Sequence, residues 1–378
     1  MKIAFLILLT VLLASQIPNQ VQTPSYPGPD SEWGRCWKAD PANNDAYASG
    51  RAGDDDDSDG SGNLDTHDCG KGFDNSCRTI KYTLCKFAQQ ITSGQFTVHL
   101  EASPFFKEQK LEFIRVGRKF IIDGELGRSL ILHNDTVEIQ FIHIDGSEVS
   151  FTSCQIQQEE IIEASRTGSI IQIDSGILSL YRVDINYKAN SSISDIKDYQ
   201  VIQAVSGTLS LFNVRLFHVN SVSKALIDIK SDVIKADINH LRFQGVQLGG
   251  DNSSCLSVDV SKTLQFNISF SNFYDVQTAR TVSSNPVRAA PIYIYFGTAT
   301  QSYEQNKEEI EEEKRINMIQ SDKAKNANGF VAIQDIIISN CIGSQTGGIL
   351  FDGYSKVNDF YIHGATFVTN NATVMTTA

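Results

Sequence analysis

The sequence predicts an all-β chain wound as a right-handed single-stranded parallel β-helix, a solenoid with a short amino-terminal capping helix, and three observations predict it. From Phe96 onward, apolar residues fall at alternate positions in short runs rich in Ile, Val, Leu and Phe, broken by Gly, Asn, Asp and Ser. The runs repeat: SGILSLYRVDI (175–185) returns as SGTLSLFNVRL (206–216), 31 residues later, and SDVIKADINHLRF (231–243) and SKTLQFNISFSNF (261–273) keep the same plan. Between them a second, aliphatic run recurs as SIIQID (169–174), VIQAV (201–205), ALIDIK (225–230), CLSVDV (255–260) and GGILFD (347–352).

Two phased strand types at a period of 22 to 31 residues describe a chain whose every turn is one rung. One rung cannot cover its own apolar face. Stacking rungs about 4.8 Å apart pairs each backbone with the next and joins the inward residues into continuous stacks. An antiparallel sandwich would require two-residue Asn-Gly or Asp-Gly turns between neighbouring runs. Between strand-like runs, Asp-Gly occurs only at Asp123, Asp145 and Asp352.

The amino terminus reads differently. Lys2 precedes an apolar run from Ile3 to Leu13, interrupted only by Thr10, and the small residues Ala14 and Ser15 follow, so residues 1–22 read as a secretory signal peptide. The run has about a dozen residues, short of the roughly 20 that span a bilayer. No later segment reaches that length, and Thr366 to Ala378 lack a lipid-anchor tail, so membrane association is not expected through a span of this chain's own. Residues 23–68 read as an acidic disordered linker. Asp30 to Asp68 hold 11 acidic and 3 basic residues, and DDDDSDGSGNLD lacks the bidentate Glu of a calcium loop.

The β-helix is assigned to residues 69–378. Its opening segment places Ile80, Leu84, Phe87, Ala88 and Ile91 at helical spacing behind the candidate caps Asp74 and Ser76, which predicts one short amphipathic helix. Residues 302–326 break the β pattern with Glu and Lys at helical offsets and few large aliphatics, and read as a charged loop insertion projecting from one rung. Rung-like sequence continues to HGATFVTNNATV without an evident cap, so a longer surface protein is expected.

Composition bounds function. The chain has 378 residues, 41% hydrophobic and 20% charged, with 26 Gly and 8 Pro, enough apolar content for a core and unlike collagen or a disordered chain. Lys and Arg number 32 against 44 Asp and Glu, a net charge of −12, so no nucleic-acid partner is expected. The seven cysteines are too few for a disulfide miniprotein, no zinc-type spacing is present, and no metal or cofactor is expected. Cys69 with Cys77, or Cys36 with one of them, is the expected disulfide in an oxidising compartment, while Cys154, Cys255 and Cys341 beside strand starts read as buried small apolar residues. Sequons stand at Asn134, Asn190, Asn252, Asn267 and Asn371; Asn190 and Asn252 lie in polar loops, and Asn267 in a strand-like run.

SCRTIKYTL (76–84) followed by FTVHLEAS (96–103) resembles the amino-terminal cap and first rung of pectin-lyase-like right-handed parallel β-helix proteins. ISNCIGSQTGGILF (338–351) resembles the F-x-x-N plus G-G-A/I repeat of polymorphic outer-membrane-type adhesins, with looser versions in FTSCQI to GSIIQI (151–173) and LRFQGV to CLSVDV (241–260). The repeats are degenerate: Ile338 replaces Phe in the best copy, and most copies lack the Gly pair. The resemblance spans about residues 68–378 and implies the fold, which carries enzymes and adhesins alike.

Chemistry-bearing motifs are sparse. Rungs one or two apart set side chains about 5 or 10 Å apart, the separations glycosidases use, so Asp123, Asp145 and Asp174 are the candidates if the chain is an enzyme. Each stands at or one residue before a Gly-containing turn, and with Asp352 they read as turn formers. Polygalacturonase-type NTD, DD, GHG and RIK motifs have only isolated echoes here, at His363-Gly364 and Arg315-Ile316, and a G-x-S-x-G elbow is absent. The expectation is a secreted or cell-surface, glycosylated, non-catalytic recognition module for glycans or surface proteins. The alternative is a diverged polysaccharide lyase or glycoside hydrolase.

Overall fold

A computed structural model describes residues 45–48, 79–84 and most of 94–372. Within the last span, 101–105, 125–128, 134–139, 159–167, 188–198, 279–289, 298–329, 354–358 and several shorter stretches fall outside the description. The chain divides into Met1–Trp37 and Lys38–Ala378, and every described residue belongs to the second.

Alternation dictates the strand. In Ser147–Thr152 the side chains of Ser147, Val149 and Phe151 are buried, and Glu148, Ser150 and Thr152 face outward. A single residue, Ser153, then adopts the left-handed conformation (φ 52°) and turns the chain, so that Cys154 and Ile156 of the next strand again point into the core. Two residues instead of one therefore separate the inward positions at this corner. The same offset recurs at Leu180–Val183–Ile185, Leu211–Val214–Leu216, Ile238–Leu241–Phe243 and Ile333–Ile336–Ile338, all at most 1% exposed.

This corner corrects the two-strand rung expected from sequence: each turn holds three strands. The first face stacks, in order, Gln95–Leu100, Lys119–Asp123, Ser147–Thr152, Gly176–Tyr181, 208–212, 235–239, Gln265–Ser269, Phe330–Gln334 and Asp359–His363. The second runs from Phe106–Glu108 through Cys154–Gln158 and Arg242–Leu248 to Thr366–Val368, and the third from Leu111–Phe113 through Gly168–Ile173 and Ser254–Asp259 to Ile349–Asp352. Every strand pair among the described residues is parallel, in a 16-stranded and a 12-stranded sheet. Ser150 lies opposite Ser179, and Ser179 opposite Ser210, turns of 29 and 31 residues. The chain is thus an all-β parallel solenoid with almost no helix.

Where the corner between the third and first faces is shallow, two expected strands fuse. Tyr199–Phe212 and Ala225–Asn239 each run through it, with register shifts between Ala204 and Ser206 and between Gly207 and Thr208. That continuity joins the first and third faces into one sheet.

The inward stacks are the core. Val98, Ile122, Phe151, Leu180, Leu211, Ile238, Ile268 and Ile333 succeed one another on the first face, each at most 1% exposed. Each such side chain contributes about 1.5–3 kcal/mol of burial. Phe243 and Phe273 stack across adjacent rungs at 5.2 Å between centroids.

Of the helix expected across the segment after Asp74, the structure describes one turn, Ile80–Thr83. Ile80 and Leu84 are buried, and the Ile80 and Lys81 amides donate to the carboxylate of buried Glu108 (2.5 and 3.2 Å), which satisfies the turn's first N–H groups. Within the segment read as linker, Asp45–Ala48 pairs as a parallel strand with Gln95–Leu100. The segments read from sequence as a signal peptide, as the rest of the linker and as a charged insertion lie outside the described residues. No described helix is long and apolar enough to cross a membrane.

Candidate functional site

Because neighbouring strands are in register, outward residues of the first face form columns that run from rung to rung. One column holds Ser150, Ser179, Ser210, Asp237, Asn267, Ala332 and Tyr361; the next toward the corner holds Asp123, Thr152, Tyr181, Phe212, Asn239, Ser269, Gln334 and His363. Two features arise from them.

The first is an aromatic ladder at the corner. Tyr181 and Phe212 stack at 5.1 Å and 10°, Phe212 meets His240 at 5.7 Å, and His240 stacks on Phe270 at 5.3 Å. The Arg182 guanidinium lies 5.1 Å over the Tyr181 ring. All four rings reach solvent, with Tyr181 stacked on Phe212, His240 stacked on Phe270 and a tilted contact between the two pairs, so part of their flat surface is taken up within the ladder. It serves cross-rung packing.

The second is a depression of about 300 Å³ on the outer side of the first face. Its floor is Ala332, whose small side chain leaves a notch between Asn267 on one rung and Tyr361 on the next. Gln265, Asn267 and Gln334 bring three carboxamides to it, none with a hydrogen-bond partner among the described residues. Phe330 is 39% exposed at one side, and Lys235 and Asp237 close the far side, paired at 2.6 Å. On the adjoining rung, Tyr361 and His363 hold their rings parallel, 15° apart and 6.0 Å between centroids. Amides that both donate and accept, beside aromatic surface, suit a hydroxyl-rich ligand.

The sequence candidates for acid–base chemistry fall in two places. Asp123 ends a first-face strand and accepts a hydrogen bond from the Thr152 hydroxyl. Asp145 and Asp174 sit on neighbouring rungs at the opposite corner, about 20 Å away along the strand. Asp145 accepts from the Ser175 hydroxyl at 2.6 Å. Asp174 meets His143 Nε2 at 2.8 Å and accepts from Gln172 Nε2 at 2.7 Å. Burial alone raises the Asp174 pKa, but the hydrogen bonds from Gln172 and His143 and the charge of His143 outweigh it and hold the carboxyl below its ordinary value. A general acid needs the opposite shift.

Of the sequons, Asn267 lines the depression and Asn371 is exposed near the end of the described chain; Asn134, Asn190 and Asn252 lie outside the described residues, as do Cys69 and Cys77. Cys154, Cys255 and Cys341 are free and buried. Burial pushes the thiols of Cys154 and Cys255 upward and that of Cys341 up to about 11, so these three are inert apolar packing at neutral pH. No group of three His, Cys, Asp or Glu among the described residues is arranged to hold a metal.

Sequence reading missed the depression. Its signal exists, in the outward residues of KADIN, QFNIS and FVAIQ, but Ala332 follows Asn267 by 65 residues instead of about 30, which hides the alignment. No protein-family model, curated protein or solved structure matches the chain.

Proposed function

We propose that the chain is a right-handed β-helix of the pectin-lyase-like type with degenerate adhesin-type repeats, capped at its start by the helical turn at Ile80–Thr83. It acts as a non-catalytic recognition module, secreted or displayed at a cell surface, that binds a glycan or a surface protein on its first face. The observation that carries this reading is the depression over Ala332: three unpartnered carboxamides and a half-exposed ring form a binding surface. The lyase or hydrolase alternative rests on Asp145 and Asp174, which lie one rung apart, since Asp123 stands far from both; it has less support because Gln172 and His143 hold the Asp174 carboxyl below its ordinary value, opposite to what a general acid needs.

A glycan array read alongside reducing-sugar release on the same polysaccharides tests the proposal. Retention of at least one glycan without release of sugar is the expected result. Release that disappears in Asp145→Asn or Asp174→Asn would replace recognition with hydrolysis.

A further inference from the structure

We infer that the ligand of the first face is a neutral glycan, an extended chain of uncharged sugars laid along the solenoid axis across the depression over Ala332; this rests on the recognition reading above. Charge, hydrogen bonding and length each favour such a ligand.

The first is charge. Among the described residues lining the depression the only cation is Lys235, and it is committed to Asp237 at 2.6 Å. An acidic chain carries a carboxylate or sulfate on every unit or every second unit, and its recognition calls for unpaired Arg or Lys. The described lining has no such cation to give.

The second is hydrogen bonding. Gln265, Asn267 and Gln334 each offer a carbonyl oxygen and an NH2 group to the same depression. A carboxamide can accept from one sugar hydroxyl while donating to its neighbour, so the lining matches vicinal hydroxyls without any net charge.

The third is length. From Lys235 through Gln265 and Phe330 to Asp359, four strands lie side by side in register, three spacings or about 14 Å. Along that path the surface runs from an ion pair, over the amides and the Ala332 notch, to the parallel rings of Tyr361 and His363. The distance accommodates about three sugar rings, with the notch seating the middle one and the aromatic pair packing against the last.

The experiment is isothermal titration of the full chain, made in a bacterial host so that Asn267 carries no glycan. The probes are cello-, xylo-, manno- and chitohexaose against hexagalacturonate and a heparin hexasaccharide, at 50 and 500 mM NaCl. The expected result is binding of at least one neutral hexasaccharide, with a Kd that changes less than about twofold with salt. Asn267→Ala and Gln334→Ala should each weaken it about tenfold, the loss of one well-made hydrogen bond. Both residues face solvent, so these variants should melt like the parent; Ala332→Trp, which fills the notch, should abolish binding.

Binding confined to the acidic probes and weakened tenfold or more by salt overturns the neutral-glycan assignment while leaving recognition on this face intact. Neutral-glycan binding untouched by Asn267→Ala and Gln334→Ala moves the site elsewhere and overturns it as well. No binding to any probe overturns both the assignment and the glycan reading on which it rests.

Discussion

Two of the three corners in each turn solve the same problem under opposite constraints. Between the first and second faces, one residue per turn adopts a left-handed conformation, and the position is held by Ser153, Arg182, Asn213, His240, Phe270, Asp335 and Gly364, with φ between 47° and 67°. The amides of the first six donate to carbonyls of the next rung at 2.8–3.1 Å, as Ser153 does to Tyr181 and Phe270 to Gln334. Between the third and first faces stand glycines at more extreme angles, φ 103° at Gly176 and 90° at Gly207. A Cβ on Gly176 would lie 2.2 Å from the Ser147 carbonyl oxygen, and one on Gly207 would lie 2.1 Å from that of Gly176. At the first corner the side chain points away and only the torsion is strained, so chemistry is free. At Gly176 and Gly207 the preceding rung's backbone occupies the place of the side chain, so only glycine fits at these two positions.

The sharpest way to break this comparison is Gly207→Ala. It forces a β-carbon into backbone that cannot retreat without parting two rungs, and a loss of about 4 kcal/mol or more is expected in urea unfolding. A loss under about 1 kcal/mol would show that the rungs slide apart easily and that the corner is not sterically closed. Because each rung contacts mainly its neighbours, a broadened or split transition is the accompanying sign.

Asn213→Ala probes the other corner. Asn visits the left-handed region more readily than Ala, so a loss of about 1 kcal/mol is expected, with Asn213→Gly close to the parent. Equal losses for both replacements would mean that the Asn side chain, not the torsion, matters.

Phe270→Asn tests why a bulky ring is tolerated at a strained position. The replacement relieves about 1 kcal/mol of torsional strain but forfeits the stack on His240, worth about 0.5–1.5 kcal/mol, so the net change should be near zero. In a His240→Ala background, where the stack is already gone, the same replacement should stabilise by about 1 kcal/mol. Identical effects in both backgrounds would show that the ladder adds nothing to the corner.

These corners also explain what the sequence discloses. Alternation and repetition specify a parallel solenoid because inward residues must be apolar on every rung. The third strand per turn was legible too, in the recurring two-residue gap of Phe151–Cys154, Leu180–Val183 and Ile238–Leu241, yet the corner residues themselves share no composition and so leave no motif. The depression was harder to see, since outward residues answer to the ligand and to solvent rather than to the core. Only the register places Asn267 beside Ala332 and Gln334 beside Ser269 and His363.

A small, pH-dependent effect is expected at the end of the third face, where Asp174 ties two rungs together. His143 and Gln172 hold its carboxylate, Gln140 in turn donates to Gln172 at 2.8 Å, and Glu112, paired with Lys110, lies opposite His143 on the preceding strand. The folded pKa lies below the unfolded value of about 3.9, so the stabilisation is complete above that value and is lost as pH falls through the folded pKa. Asp174→Asn should therefore cost stability at pH 6, while the gap between parent and variant closes as pH falls from about 5 toward 2. With the carboxylate 39% exposed, solvent screening limits the difference to about 0.5 kcal/mol. A gap that widens on acidification would reverse the sign and show that the protonated carboxyl is the form the fold prefers.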